Sequence, residues 1–281
     1  MKKILVLIAS VAMLSFAITS CGDDEPARRG NGVFTVNTSM FNHIVNTNNG
    51  QVLGISSTHN KLTIDTVHHT ANLELTYDDG TEHTVKLEGI KAMPKRLGFY
   101  ALSGNNSQVK ELTGYVDFNE GAMRYAYTTA DGIRVVSMTP EVFYLKTNTV
   151  LTYDDTTKSN TVGDAMYQFD IIPASQTANV KVMQLTYAKE FKYFENITSN
   201  GVAFTVTPTG FTISGTGLKT TATYRTMMDS TGHNRKTTDK YPFKTFNAVV
   251  DIVNDTLDAN FTIGGATVVA TGRTYPDYTA Y

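Results

Sequence analysis

Leu73-Glu74-Leu75-Thr76-Tyr77-Asp78-Asp79-Gly80, with Thr84-Val85-Lys86-Leu87 just beyond it, is the stretch on which the fold turns. Leu73, Leu75 and Tyr77 alternate with Glu74 and Thr76. An extended chain with that order has one apolar face and one wet face, the period-two pattern of a half-buried strand. Asp79-Gly80 supplies residues that tolerate the positive φ of both central positions in a type I′ turn. The stretch therefore predicts an antiparallel hairpin.

The same scheme recurs outward from it. Val180-Lys181-Val182, Phe204-Thr205-Val206 and Phe211-Thr212-Ile213 alternate in the same way, and the residues that dominate them suit a pleated surface. Pro208-Thr209-Gly210 and Asn119-Glu120-Gly121 read as turns between such runs. No stretch keeps apolar residues at i, i+3, i+4 and i+7 over three turns, residues 187–194 being the best helical exception. The body is expected to be all-β.

An internal repeat divides it. Val116-Asp117-Phe118 through Val135-Val136 aligns with Val250-Asp251-Ile252 through Val269, pairing Met123 with Leu257, Tyr127 with Phe261 and Val135 with Val269. Upstream, Thr70-Ala71-Asn72-Leu73-Glu74-Leu75 aligns with Thr177-Ala178-Asn179-Val180-Lys181-Val182. The offsets are 134 and 107 residues, so the later half carries a 27-residue excess, to which the polar stretch 228–240 contributes. An internal duplication of this kind predicts two tandem antiparallel β domains, each a sandwich or small barrel, over residues 32–146 and 147–281.

The N-terminus sets location. Lys2 and Lys3 precede a fourteen-residue apolar run, residues 4–17, closed by Ile18-Thr19-Ser20-Cys21. That is the plan of a secretory signal, and the run is shorter than the roughly 20 residues of a membrane span. Ile18-Thr19-Ser20-Cys21 resembles the bacterial lipobox, and Gly22-Asp23-Asp24-Glu25 resembles the acidic tag of Bacteroidetes surface lipoproteins. The resemblance implies removal of residues 1–20, acylation of Cys21, a lipidated tether over 21–31, and display on the outer membrane surface. Asp-(Ser/Thr) triplets similar to the O-glycosylation pattern of that phylum fall at Thr66, Thr156, Ser230 and Thr256. The body resembles no particular family.

Composition excludes several classes. Cys21 is the only cysteine, so its acylation leaves no thiol for a disulfide, redox couple or thiolate metal site. Without the signal, 22 basic face 26 acidic side chains, against the basic face that nucleic acid requires. With 41% hydrophobic and 18% charged residues, the body is globular.

Candidate chemistry is sparse. His68 and His69 are adjacent in an expected strand, hence on opposite faces, and cannot grip one ion together. His233 lies in a solvated basic loop beside Arg235 and Lys236. Asp78-Asp79 and Asp154-Asp155 read as turn caps, without the alternating spacing of a calcium loop. No phosphate loop, nucleophile elbow or zinc-protease motif is present. No catalytic, cofactor or metal residue is therefore assigned. The densest aromatic group, Tyr187, Phe191, Tyr193 and Phe194, reads as core packing.

Three functions fit. The first is a non-enzymatic surface lipoprotein that binds a host, glycan or nutrient ligand through loops of the β scaffold, or holds an apolar ligand inside a lipocalin-like barrel. The second is a fimbrillin-like subunit or accessory, with Arg28-Arg29 as its cleavage site. The third is a hydrolase. The membrane, through the lipid on Cys21, and an extracellular ligand or protein are the expected partners.

Overall fold

The computed structural model describes residues 17–19, 32–78, 84–105, 109–119, 121–154, 161–226 and 234–274. Cys21, the acidic tag, Arg28, Arg29, Asp79, Gly80, Asp155, Thr156, Ser230 and His233 lie outside the described residues.

The chain forms two closed antiparallel barrels in tandem, which resolves the choice between sandwich and barrel. In barrel 1 eight strands follow one another as a meander. They are β2 (Val33–Asn46), β3 (Gln51–Asp65), β4 (Thr70–Tyr77), β5 (Thr84–Arg96), β6 (Phe99–Gly104), β7 (Val109–Asp117), β8 (Ala122–Thr129) and β9 (Ile133–Met138). Pairing from Phe41↔Met138 to Asn46↔Ile133 joins β9 back to β2 and closes the barrel. A short strand β1 (Ala17–Thr19), within the segment read as the signal, pairs with Thr35, Val36 and Asn37 of β2.

The opening hairpin is present as read, with Leu75 opposite Val85 and Thr76 opposite Thr84. Leu73 and Leu75 are fully buried while Glu74 on the outer face pairs with Lys61 and Lys86. Eight strands enclose a lumen just wide enough for side chains to fill. Phe34, Leu62, Leu73, Leu87, Val116 and Tyr125 are among those that fill it.

Barrel 2 uses β10 (Glu141–Tyr153), β11 (Thr161–Ile172), β12 (Thr177–Tyr187), β13 (Lys192–Thr207), β14 (Gly210–Leu218), β17 (Phe243–Asp251), β18 (Thr256–Ile263) and β19 (Ala266–Thr274), closed by β10 against β19. Two more strands, β15 (Thr221–Thr226) and β16 (Lys236–Thr238), leave the wall between β14 and β17, and β15 lies along the first half of β13.

The repeated segments occupy equivalent strands. Thr70 and Thr177 each begin the third strand of their barrel, and the second match covers the sixth, seventh and eighth. Asp117 and Asp251 end the sixth strands and do the same work there. Asp117 Oδ1 accepts the amide of Asn119, and Asp251 Oδ1 those of Val253 and Asn254. The connection between the fifth and sixth strands is residues 105–108 in one barrel and 219–242 in the other, which carries most of the excess length.

Three expectations are corrected. The domain join is at Thr139-Pro140, because the expected division at 146/147 falls inside β10. A register shift between Tyr144 and Thr147 breaks the alternation there, and the polar Thr147 and Thr149 are buried with their hydroxyls bonded to each other. His68 and His69 belong to the turn between β3 and β4, where Asp65 Oδ1 accepts the amides of Val67 and His68. The helix expected over 187–194 is a single 3-10 turn, Ala188–Glu190.

The barrels meet wall to end. Phe41, Val136 and Met138 point out of barrel 1 and join the core of barrel 2, Phe41 packing edge-on to Phe211 with ring centres 6.2 Å apart. Beside them, Arg124 pairs with the carboxylate of Asp255 and donates to the carbonyl of Ile252. Barrel 1 thus stops the end of barrel 2 formed by residues 208–209 and 252–255. Among the described residues, the opposite end, formed by Asp154, residues 188–191, residues 219–226 and 234–242 and Gly264-Gly265, is free of barrel 1.

Candidate recognition surface at the free end of barrel 2

At this free end β12 turns into β13. The Ala188–Glu190 turn is pinned from below, since Tyr153 Oη accepts the Ala188 amide at 2.9 Å. Phe191 follows with φ 52°, and its amide donates to Ala188 O at 3.0 Å. An aromatic residue in the left-handed region is disfavoured by about 1–3 kcal/mol, and strain of this kind concentrates at functional positions. Phe191 is also 66% exposed, the most exposed of the large hydrophobic side chains among the described residues. The left-handed backbone closes the 3-10 turn, as Gln176 does after Pro173–Ser175, and at Phe191 it carries an aromatic ring held in water.

The residues on either side of it, Glu190 and Lys192, join a cluster of rings. Tyr187, Phe194, Tyr224 and Tyr241 pack mostly edge to face, with centres 4.9–6.5 Å apart. Lys192 lies over Tyr224 and Tyr241, 4.8 and 4.7 Å from their centres. Its ammonium also donates to Glu190 and to the Tyr241 hydroxyl, and Tyr241 donates to Glu190 at 2.6 Å. Burial disfavours both charges, yet the hydrogen bonds from Lys192 and Tyr241 carry the Glu190 carboxyl below its ordinary range. For Lys192 too burial is outweighed, here by the bonds to Glu190 and Tyr241, which hold the ammonium above its ordinary range. Neither group is poised near neutrality to trade protons, the condition for acid–base catalysis. The arrangement is a rigid, charge-paired platform presenting one apolar ring.

The barrel interiors offer less. Phe34 packs on Phe118 at 5.0 Å in barrel 1, and Phe243 on Phe261 at 5.1 Å in barrel 2. Asn42, buried in barrel 1, donates to Ser56 and Thr58 and accepts from Ser137. A cavity of about 10 Å³ beside Thr149, Leu151, Ala165 and Leu185 has room for about one water. Among the described residues, buried side chains thus occupy much of the space a lipocalin-like ligand needs.

The residues singled out in the sequence scatter. Of the aromatic group read as core, Tyr187 and Phe194 are core, Phe191 is not, and Tyr193 lies half-buried beneath Arg225. Thr66 is buried, its hydroxyl accepting from Gly32 N and donating to Gly32 O, so it is not presented to solvent. Thr256 is half-buried beside the paired Asp255. His68 Nδ1 meets Asp65 at 2.6 Å, and His59 meets Asp78 at 3.2 Å. Among the described residues, no group of three His, Cys, Asp or Glu could hold a metal ion. The Lys192–Glu190–Tyr241 cluster escaped sequence reading because Tyr241 is 51 residues from Glu190.

No protein-family model matches the chain, and no curated protein matches it. Among solved structures it is similar to the isotype 1 transferrin binding protein B from serogroup B Neisseria meningitidis. The identity is 7% and the TM-score 0.25, over 77% of this chain. The chain spans 65% of the length of that one.

Proposed function

We propose that this chain is a lipoprotein of the outer membrane surface, anchored through Cys21, that recognises an extracellular ligand without chemistry on it. The recognition surface is the far end of barrel 2, and the observation that carries the reading is Phe191, strained and 66% exposed between Glu190 and Lys192, which join the aromatic cluster. Aromatic anchors of this kind dominate the energetics of interfaces. Filled lumens support recognition by loops over storage in a barrel. Mass spectrometry of the mature N-terminus tests the anchor, with acylated Cys21 expected. Binding to a panel of host proteins and glycans, compared between the native chain and Phe191→Ala, tests the surface. An equal signal from both would refute the role of Phe191, and turnover of any panel member would refute the non-enzymatic reading.

A mature protein beginning at Gly30 would instead select the fimbrillin-like subunit.

A further inference from the structure

The two rims of barrel 1 differ in kind. At one rim the connections between β2 and β3 and between β8 and β9 are polar, Thr47-Asn48-Asn49-Gly50 and Ala130-Asp131-Gly132. At the other, where the chain enters at Gly32, three separate segments each raise an aliphatic side chain. Val33 begins β2, Val67 sits in the turn between β3 and β4, and Leu97 tips the hairpin of β5 and β6; they are 60%, 61% and 60% exposed. Met93 on the same hairpin is 45% exposed.

These segments are tied together. Gly32 O accepts the Thr66 amide at 3.0 Å, Ala92 N donates to His69 O at 2.9 Å, and Asn119 Nδ2 donates to Leu97 O at 2.8 Å. Past the end of β4 the β5–β6 hairpin continues as Met93-Pro94-Lys95-Arg96-Leu97, all exposed, with exposed Lys91 below it. Arg96 is held by the buried carboxylate of Asp117 at 2.7 Å and lies 5.5 Å from the ring of Phe99, so the tip is a fixed shape.

Single exposed aliphatics are ordinary on a protein surface, but apolar tips gathered on one rim with lysines around them are the composition of a surface that meets a lipid headgroup layer. The occupant is argued from where the chain enters. Ten residues, 22–31, separate Cys21 from Gly32, and a coil of that length spans only about 20 Å, so an acyl chain on Cys21 keeps this rim next to the bilayer. We propose that this rim of barrel 1 rests on the lipid surface, Val67 and Leu97 entering the headgroup region with Lys91 and Lys95 on its phosphates. The proposal rests on the reading of Cys21 as lipidated.

The chain contains no tryptophan, so one introduced indole reports alone. The full-length acylated protein, carrying Leu97→Trp, Val67→Trp or, on the polar rim, Asn49→Trp, is reconstituted into phosphatidylethanolamine–phosphatidylglycerol vesicles with brominated acyl chains. The expected result is loss of most emission from the first two probes and none from the third. Unquenched Leu97 and Val67 probes in protein that floats with the vesicles overturn the contact and leave the anchor standing. Equal quenching of all three overturns it as well. A Leu97 probe shielded from iodide in a two-copy species, and not by lipid, gives the rim to a second copy. Protein that neither floats nor carries acylated Cys21 removes the anchor, and the proposal with it.

Discussion

His43 Nε2 lies 2.6 Å from the backbone carbonyl of Thr207, so one imidazole of barrel 1 is hydrogen-bonded into the turn between β13 and β14 of barrel 2. In that geometry the neutral ring donates through Nε2–H. Burial is the main influence on it. The Thr207 bond pulls the other way, Arg134 adds to burial, Asp251 opposes, and the net effect holds the imidazole below its ordinary value of 6.5.

The pH dependence follows. The unfolded chain takes up this proton near pH 6.5 and the folded junction only at lower pH. Stability is full above 6.5 and is lost as pH falls from there through the folded value. The thermal midpoint should drop between about pH 7.5 and about pH 5, and the drop should shrink in His43→Gln, which keeps a donor but does not titrate there. Identical pH profiles for the two proteins would contradict this.

Arg124 and Asp255 couple the barrels through an ion pair only 13% and 22% exposed. Arg124→Met leaves a carboxylate without its cation in the junction, which should cost about 2–4 kcal/mol. Arg124→Met with Asp255→Asn should recover to within about 1 kcal/mol of the native chain, because Asn also tolerates the positive φ at 255. Urea midpoints of the four proteins in this cycle measure the coupling.

Phe191→Asn should stabilise the protein by about 0.5–1 kcal/mol, since Asn accepts the left-handed backbone and a ring so exposed packs little. The same change should weaken ligand binding. A loss of stability would show that the ring contributes to the fold after all.

A methyl at position 210 would lie 2.1 Å from the Val250 carbonyl oxygen, whereas one at 163 would meet nothing within 4 Å. Gly210→Ala should therefore cost about 2–3 kcal/mol as β14 is forced off β17, and Gly163→Ala should be neutral or slightly stabilising. Denaturation midpoints of the two variants check the contrast.

What the sequence reveals here is set by distance along the chain. The hairpin from Leu73 to Leu87 and the turn at Pro208-Thr209 are legible because alternation and turn chemistry are local. The equivalence of Thr70 with Thr177 and of Asp117 with Asp251 is legible because both barrels repeat one local solution. Closure of β9 on β2 is not legible, since alternation tells which face of Val135 or Phe41 is buried and not which distant strand lies beside it. The repeat places two domains but not the residue at which the second begins, since its matched segments start well inside each barrel and leave β10 unaligned. His43 carries no local signal of its role, because Thr207, its partner, is 164 residues away. Phe191 reads like its buried neighbours in the sequence because composition does not show that a 3-10 turn ends in a left-handed residue.

The junction is also one-sided. The central cluster of barrel 1 is built from its own strands, while that of barrel 2 includes Phe41, Val136 and Met138 from its neighbour. As the chain is synthesised, N-terminus first, the half that emerges early is self-sufficient, and it is already in place as a template when the later half arrives. Severed from it, the later half would keep its strands but lack a stopper, and its apolar bore would open to water. Folding has a built-in direction, and the far end of barrel 2 is the last part to be completed.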